Sequence, residues 1–111
     1  MFANTPKPPY YAVIFTSLKS NDDNGYGEMA KRMVELVRNQ DGFLGYESLR
    51  DENGFGITVS YWRDEESIKK WKNNLEHKEV QQKSKELLYK KYKIRVAKVE
   101  KEYGFEREER N

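Results

Sequence analysis

The run Tyr10-Tyr11-Ala12-Val13-Ile14-Phe15 offers apolar or aromatic side chains to both faces of a strand. Side chains alternate across a strand with a period of two, so a sheet with one wet face shows apolar and polar residues in turn. This strand does not alternate. The chain therefore has to cover the second face of its sheet as well as the first. A later stretch repeats the demand, with Tyr92, Ile94 and Val96 in one phase and Ala97 and Val99 in the other.

Two further strands are read at Phe43 to Arg50 and Phe55 to Trp62, joined by Asp51-Glu52-Asn53-Gly54. Asn-Gly between alternating apolar residues is a strong hairpin signal, because such turns need positive φ angles. The first strand runs from Tyr10 to Leu18, and Ser20 to Gly25 has loop chemistry. The helix after it places Tyr26, Met29, Met33, Leu36 and Val37 near one face. Asp64 reads as an N-cap, with Glu65 and Glu66 in a first turn that favours negative charge. Ile68, Trp71 and Leu75 form the apolar stripe of that helix. A second helical stretch follows from about Glu76 to Tyr89, and the last strand is expected over Tyr92 to Val99. The order β-α-β-β-α-β is that of a ferredoxin-like α+β fold, an antiparallel sheet with helices on one face. A second copy packing sheet to sheet is the simplest cover for the other face. The alternative is a monomer whose first strand is merely central.

At 111 residues the chain has room for one domain and one core. Residues 1–9, with Pro6, Pro8 and Pro9, read as a flexible lead-in, residues 10–105 as the domain, and residues 106–111 as a charged tail. Apolar residues are only 36% of the chain, but 8 Tyr, 5 Phe and 2 Trp bury large areas each. The net charge of +2 implies no strong field for nucleic acid, and the basic residues are interleaved with acidic ones. There is no cysteine, which excludes disulfides, thiol catalysis and thiolate metal sites. No apolar run approaches the roughly 20 residues that span a bilayer. The first residues lack a signal-peptide layout, so a cytoplasmic protein without membrane partners is expected.

His77 is the one histidine. It shares a helical face with Gln81, Ser84 and Leu88, and is a candidate general base or haem ligand. The plainer reading is a histidine near a helix start that bonds a neighbour or solvent. One histidine and no cysteine leave no structural zinc site, and no metal is expected. Trp71 could stack on a flat substrate or serve as an ordinary core residue. Trp62 could line the mouth of a cavity or cap the sheet. Arg95 points to the face opposite Ile94 and Val96 and could hold an anionic group. Tyr26, Tyr46, Tyr61, Tyr89 and Tyr92 supply phenols that could orient a phenolic or quinoid compound. Nothing resembles a catalytic triad, a phosphate loop or a dinucleotide fingerprint.

The series Gly42-Phe43-Leu44-Gly45-Tyr46, Tyr61-Trp62, Trp71, Glu76-His77 and the Tyr92 to Val99 strand resembles the antibiotic biosynthesis monooxygenase family over roughly residues 10 to 105. The resemblance implies a homodimer whose two sheets close into a barrel. It also implies one of the family's chemistries: cofactor-free oxidation of aromatic compounds or quinols by O₂, haem degradation, or an activity not known. The haem-degrading branch typically has an asparagine on the first strand and an axial histidine ten residues after a tryptophan. Trp71 matches that tryptophan, but Gln81 stands where the histidine would be, and Tyr10 to Leu18 holds no asparagine. The expectation is therefore a monooxygenase without cofactor, acting on a small aromatic, phenolic or quinol-like compound. His77 would be its base, Trp62, Trp71, Tyr61 and Gln81 would contact the substrate, and Arg95 would steady the anion. The alternatives are a haem-binding oxygenase and a non-catalytic dimeric module that binds a small hydrophobic molecule.

Overall fold

The computed structural model describes residues 2–21 and 25–108, apart from the side chains of residues 75–77, 80, 84 and 86. Its elements are β1 (Tyr10–Lys19), α1 (Tyr26–Arg38), β2 (Phe43–Arg50), β3 (Phe55–Trp62), α2 (Glu65–Lys72), α3 (Leu75–Lys83), a π-helical turn (Ser84–Leu88) and β4 (Tyr89–Val99). The strands form one antiparallel sheet in the order β2-β3-β1-β4. This is the ferredoxin-like α+β fold, with β1 in the interior of the sheet as its two apolar faces require.

The β2–β3 hairpin closes tightly because Asp51 organises it. Its Oδ1 accepts the backbone N–H groups of Asn53 at 2.9 Å and Phe55 at 3.0 Å. The Asp51 N–H bonds the Phe55 carbonyl, so three residues form the loop, and Gly54 takes the required left-handed φ of +92°. The turn is thus one residue longer than an Asn-Gly pair alone would make.

The expected last helix and last strand change their border. The helical stretch ends in the π-helical turn, and β4 begins at Tyr89, three residues before Tyr92. A bulge explains this. Leu18 pairs with Lys91 and Lys19 with Tyr89, so Lys90 is an extra residue in the ladder. The bulge returns Tyr89 to the face that Tyr92 occupies, and both rings meet Phe15, at 5.3 and 5.2 Å. A spacing of three that looks helical in sequence is satisfied within a strand. The π-helical turn also ends the straight helical face on which His77, Gln81, Ser84 and Leu88 were read together.

The two faces of the sheet differ. The helices cover the face that carries Trp62, Phe15 and Tyr92. On the other face, which carries Tyr61, Ile57, Ile14 and Arg95, the terminal segments cover one end. Ala3 N–H bonds Glu47 Oε2 at 3.0 Å, and Thr5 and Glu102 both bond the Tyr10 hydroxyl. The rest of that face is open: Leu49 is 82% exposed, and Phe55 and Ile57 are each more than two-fifths exposed. Among the described apolar residues only Tyr10, Ala12, Trp62 and Leu88 are fully buried. That is a thin core for a chain of this length.

Candidate active site

The site begins at a polar corner that aims α2. Asp64 caps the helix, its Oδ1 accepting the Ser67 N–H at 2.8 Å and the Ser67 hydroxyl at 2.7 Å. Arg63 makes a two-pronged bond to Asp41, at 3.2 and 3.0 Å, and reaches Asp64 at 3.2 Å. These bonds hold the Asp64 carboxyl down at about 2 and lower that of Asp41. Gly42 sits against the corner with φ +84°, and a Cβ there would fall 2.5 Å from Ser67 Cβ. Only glycine fits, on both counts.

With α2 so placed, Trp71 lies over Trp62, ring centroids 6.3 Å apart and 29° from parallel. Trp62 is 1% exposed. Phe43 meets its edge at 5.3 Å, and its indole N–H donates to Ser60 Oγ at 2.9 Å. The buried donor is thereby satisfied while the ring stays in apolar surroundings.

A second ring group lies at the other end of the helix side. Phe15 and Tyr92 stack, Tyr89 meets both, and Tyr26 of α1 stands edge-on to Tyr89 at 5.8 Å. Arg50 threads between them. Its guanidinium donates to Ser17 Oγ at 2.7 Å and to the Gly54 carbonyl, and lies 5.5 and 5.7 Å from the Tyr26 and Tyr89 ring centroids. A Cβ at position 56 would stand 2.8 Å from the Arg50 guanidinium carbon, so a larger residue there would displace the Arg50 side chain. Burial, then the hydrogen bond to Tyr26, raise the Tyr89 phenol above its ordinary range, against the pull of Arg50.

Between the two groups the helix-side surface of β4 is half open, with Ile94 47% and Val96 53% exposed. These residues pair across with Phe15 and Val13 of β1. The result is a strip of apolar side chains with an aromatic group at each end, on the same side of the sheet as the helices. A flat, apolar molecule fits such a strip by area and by ring stacking.

The residues singled out in the sequence divide between the two faces. Trp62 and Trp71 come together on the helix side. Gln81 stands half-buried on α3. His77 is on α3 too, and its side chain lies outside the described residues. Tyr61 and Arg95 are on the opposite face, because neighbours along a strand alternate: Tyr61 is next to Trp62, and Arg95 pairs with Ile14. Tyr61 belongs to a different cluster. Its hydroxyl donates to Glu47 Oε1 at 2.6 Å, and its ring meets Tyr10 at 5.8 Å. Burial, then the bond to Glu47, push the Tyr61 phenol up to about 12. Arg50 was not singled out, since apart from Gly54 its partners, Ser17, Tyr26 and Tyr89, lie far away in sequence. Among the described residues no three His, Cys, Asp or Glu side chains are grouped to hold a metal ion.

The chain and its fold have relatives among known proteins. Residues 9–83 match the family model for antibiotic biosynthesis monooxygenase. YqjZ of Bacillus subtilis, an uncharacterized protein, is 50% identical over 104 residues, 94% of this chain and 91% of that protein. A jasmonate monooxygenase of Pyricularia oryzae is 32% identical over 93 residues, 80% of this chain but only 43% of the fungal protein. SnoaB, a cofactor-independent oxygenase from Streptomyces nogalater solved as a point mutant, superimposes with a TM-score of 0.69. It does so at 10% identity, over 85% of this chain and 95% of SnoaB.

Proposed function

The chain belongs to the antibiotic biosynthesis monooxygenase family, and on that premise we propose that it is a cofactor-independent monooxygenase for a small aromatic, phenolic or quinol-like compound. The observation that carries this reading is the half-open strip of Val13, Phe15, Ile94 and Val96 between two aromatic groups, with Trp71 stacked on Trp62 at one end. The resemblance to SnoaB, a cofactor-independent oxygenase, agrees with it. So does the kinship to a fungal enzyme named as a monooxygenase.

Chemistry of this kind asks little machinery of the protein. A base removes a proton from the substrate, and the resulting phenolate or enolate reduces O₂. An activated methylene becomes a carbonyl, one oxygen atom stays, and the other leaves as water with the two hydrogens. The substrate supplies all the electrons. The protein contributes a base, a stacked and dry seat, and a polar group for the developing anion. We assign the base to His77 on α3, the seat to Trp71 with the buried Trp62 packed behind it, and a hydrogen bond to the substrate to Gln81.

The residues do not fit the haem-degrading pattern: Gln81 stands where that pattern has its histidine after Trp71, and β1 has no asparagine.

The same reading makes the protein a homodimer through the open face, whose exposed Leu49, Phe55 and Ile57 need a cover. Among the described residues no helix is long and apolar enough to cross a membrane.

The test is O₂ uptake with a panel of anthrones, hydroquinones and phenols, each corrected for autoxidation. Turnover by the wild type should fall about 10²- to 10⁴-fold in His77→Ala, with the dimer intact. Unchanged turnover would remove His77 as base. No turnover of any member, together with saturable haem binding, would replace the cofactor-free reading.

A further inference from the structure

The helix side of the sheet holds a positive charge that the proposed chemistry leaves unused. Arg50, Gly56, Ser17 and Tyr92 share one row across the four strands. Gly56 is buried and has no side chain, so the half-buried Arg50 lies across it and reaches Ser17, itself 2% exposed. The next row on this face is Ser48, Thr58, Phe15 and Ile94, about 7 Å along the strands. Tyr46, Ser60, Val13 and Val96 follow. The guanidinium therefore stands at one end of the apolar strip.

The bonds of Arg50 leave one edge of its fork unused. Nη1 donates to the carbonyls of Gly54 and, at 3.5 Å, Ser17, and Nη2 donates to Ser17 Oγ at 2.7 Å. Nε–H has no acceptor among the described residues. It lies parallel to the second N–H of Nη2, and such a pair is what takes a carboxylate through two parallel hydrogen bonds. No opposite charge stands nearby. Lys19 Nζ is 5.1 Å from the Tyr26 centroid, so the ring that meets Arg50 meets a second cation. Among the described residues neither cation is in an ion pair. The groups around them are rings, and Tyr89, whose phenol is raised by burial and by Tyr26, does not supply the missing charge. A guanidinium drawn partly out of water among rings favours an anion that can complete its bonds.

We infer that Arg50 receives the carboxylate of the substrate, so that the compound seated on the strip is an aromatic acid. Its carboxylate is anchored at the Tyr26–Arg50–Tyr89 end, and its rings lie along Phe15, Ile94, Val13 and Val96. This rests on the reading of the strip as a substrate seat and narrows the substrate class. It gives Arg50 the anion that the sequence pointed toward Arg95, which the fold puts on the other face.

The experiment reads binding apart from turnover. 2-Naphthoate and its methyl ester are titrated by calorimetry into wild type, Arg50→Gln, Arg50→Lys and Lys93→Gln. The last removes one positive charge from the opposite face, where Lys93 is exposed and pairs with Thr16. Wild type should bind the acid about tenfold more tightly than the ester, the effect of a charge-assisted pair of hydrogen bonds. The preference should vanish in Arg50→Gln and stay whole in Lys93→Gln. It should be intermediate in Arg50→Lys, which keeps the charge and loses the fork. Arg50 also braces the hairpin through Gly54, so the wild-type comparison stands by itself should Arg50→Gln misfold. Equal affinity for acid and ester, or no binding of either, overturns the assignment. So does an acid preference that survives in Arg50→Gln or is lost in Lys93→Gln. O₂ uptake with hydroxynaphthoates and with neutral naphthols separates this inference from the proposed activity. Acid preference without any turnover overturns the monooxygenase reading and leaves the acid seat standing. Turnover of neutral phenols without acid preference does the reverse.

Discussion

The two faces of this sheet are built from the same four strands, yet they are held by different physics. On the helix side the contacts are between rings, and polar atoms appear only as satisfied partners, as Ser60 is for the Trp62 indole. On the open side the apolar centre is uncovered, and the covered end is held by phenol–carboxylate pairs, Tyr61 with Glu47 and Tyr10 with Glu102. The first arrangement suits a seat from which water is kept. The second leaves an apolar centre open between polar edges, the face read as the surface of the proposed dimer. The difference teaches that in this fold a residue's role follows its strand parity before its chemical type. Trp62 and Tyr61 are adjacent aromatics with unrelated jobs.

The contrast is broken most severely at Trp62. Its ring is almost fully enclosed between Phe43 and Trp71. Trp62→Ala leaves a large cavity and should cost about 3–5 kcal/mol, a large share of a typical domain's stability. Urea unfolding measures it directly. A loss below about 1 kcal/mol would mean that the helix side is not the core. Trp62→Phe should retain much of the stability while loosening the stack with Trp71.

A milder change sharpens the contrast from the other face. Leu49→Ser removes an apolar side chain that is 82% exposed. Surface changes of this kind usually stay within about 0.5 kcal/mol, so the unfolding free energy per chain should hardly move at concentrations where the protein is monomeric. The association constant of the proposed dimer should weaken about tenfold, since that side chain is apolar area on the face read as its interface. Sedimentation at several concentrations separates the two quantities. A large loss of fold stability without loss of dimer would place Leu49 in the core.

What the sequence disclosed follows from range. The hairpin strands Phe43–Arg50 and Phe55–Trp62 and the Asp64 cap were legible because their causes lie within a few residues: Asp51 over its own turn, Asp64 over Ser67. The Tyr89 strand start was hidden because a bulge at Lys90 imitates helical spacing. Arg50 left no local signal, since its hydrogen bond to Ser17 spans 33 positions. The opposite parity of Tyr61 and Trp62 was readable from strand alternation alone, which forbids both from lining one pocket. The placement of Arg95 needed more, because alternation shows that it opposes Ile94 but not which face the helices choose.

The smallest effect is the most diagnostic, because only the open face couples phenols to carboxylates. The Tyr61 phenol is pushed from its ordinary 10.0 up to about 12, and burial and the bond to Glu102 raise that of Tyr10. Between pH 10 and 12 the unfolded chain loses the Tyr61 proton while the folded chain keeps it. The stability it contributes is therefore complete below pH 10 and is lost as pH rises toward 12. Glu47 runs the other way. Its hydrogen bonds from Tyr61 and then Ala3 hold its carboxyl below the ordinary 4.5, so its contribution is complete above that value and is lost as pH falls through the lowered one. Tyr61→Phe should cost no more than about 1 kcal/mol at neutral pH, the usual net worth of one hydrogen bond. It should also flatten the alkaline limb of a stability-against-pH curve and weaken the acid limb, since the partner of Glu47 is gone. Trp62→Phe, on the side without a phenol–carboxylate pair, should lower the whole curve and leave both limbs unchanged in shape. If the two variants altered the limbs equally, the division of labour between the faces would fail, because the titrating network would then run through the sheet rather than along one side of it.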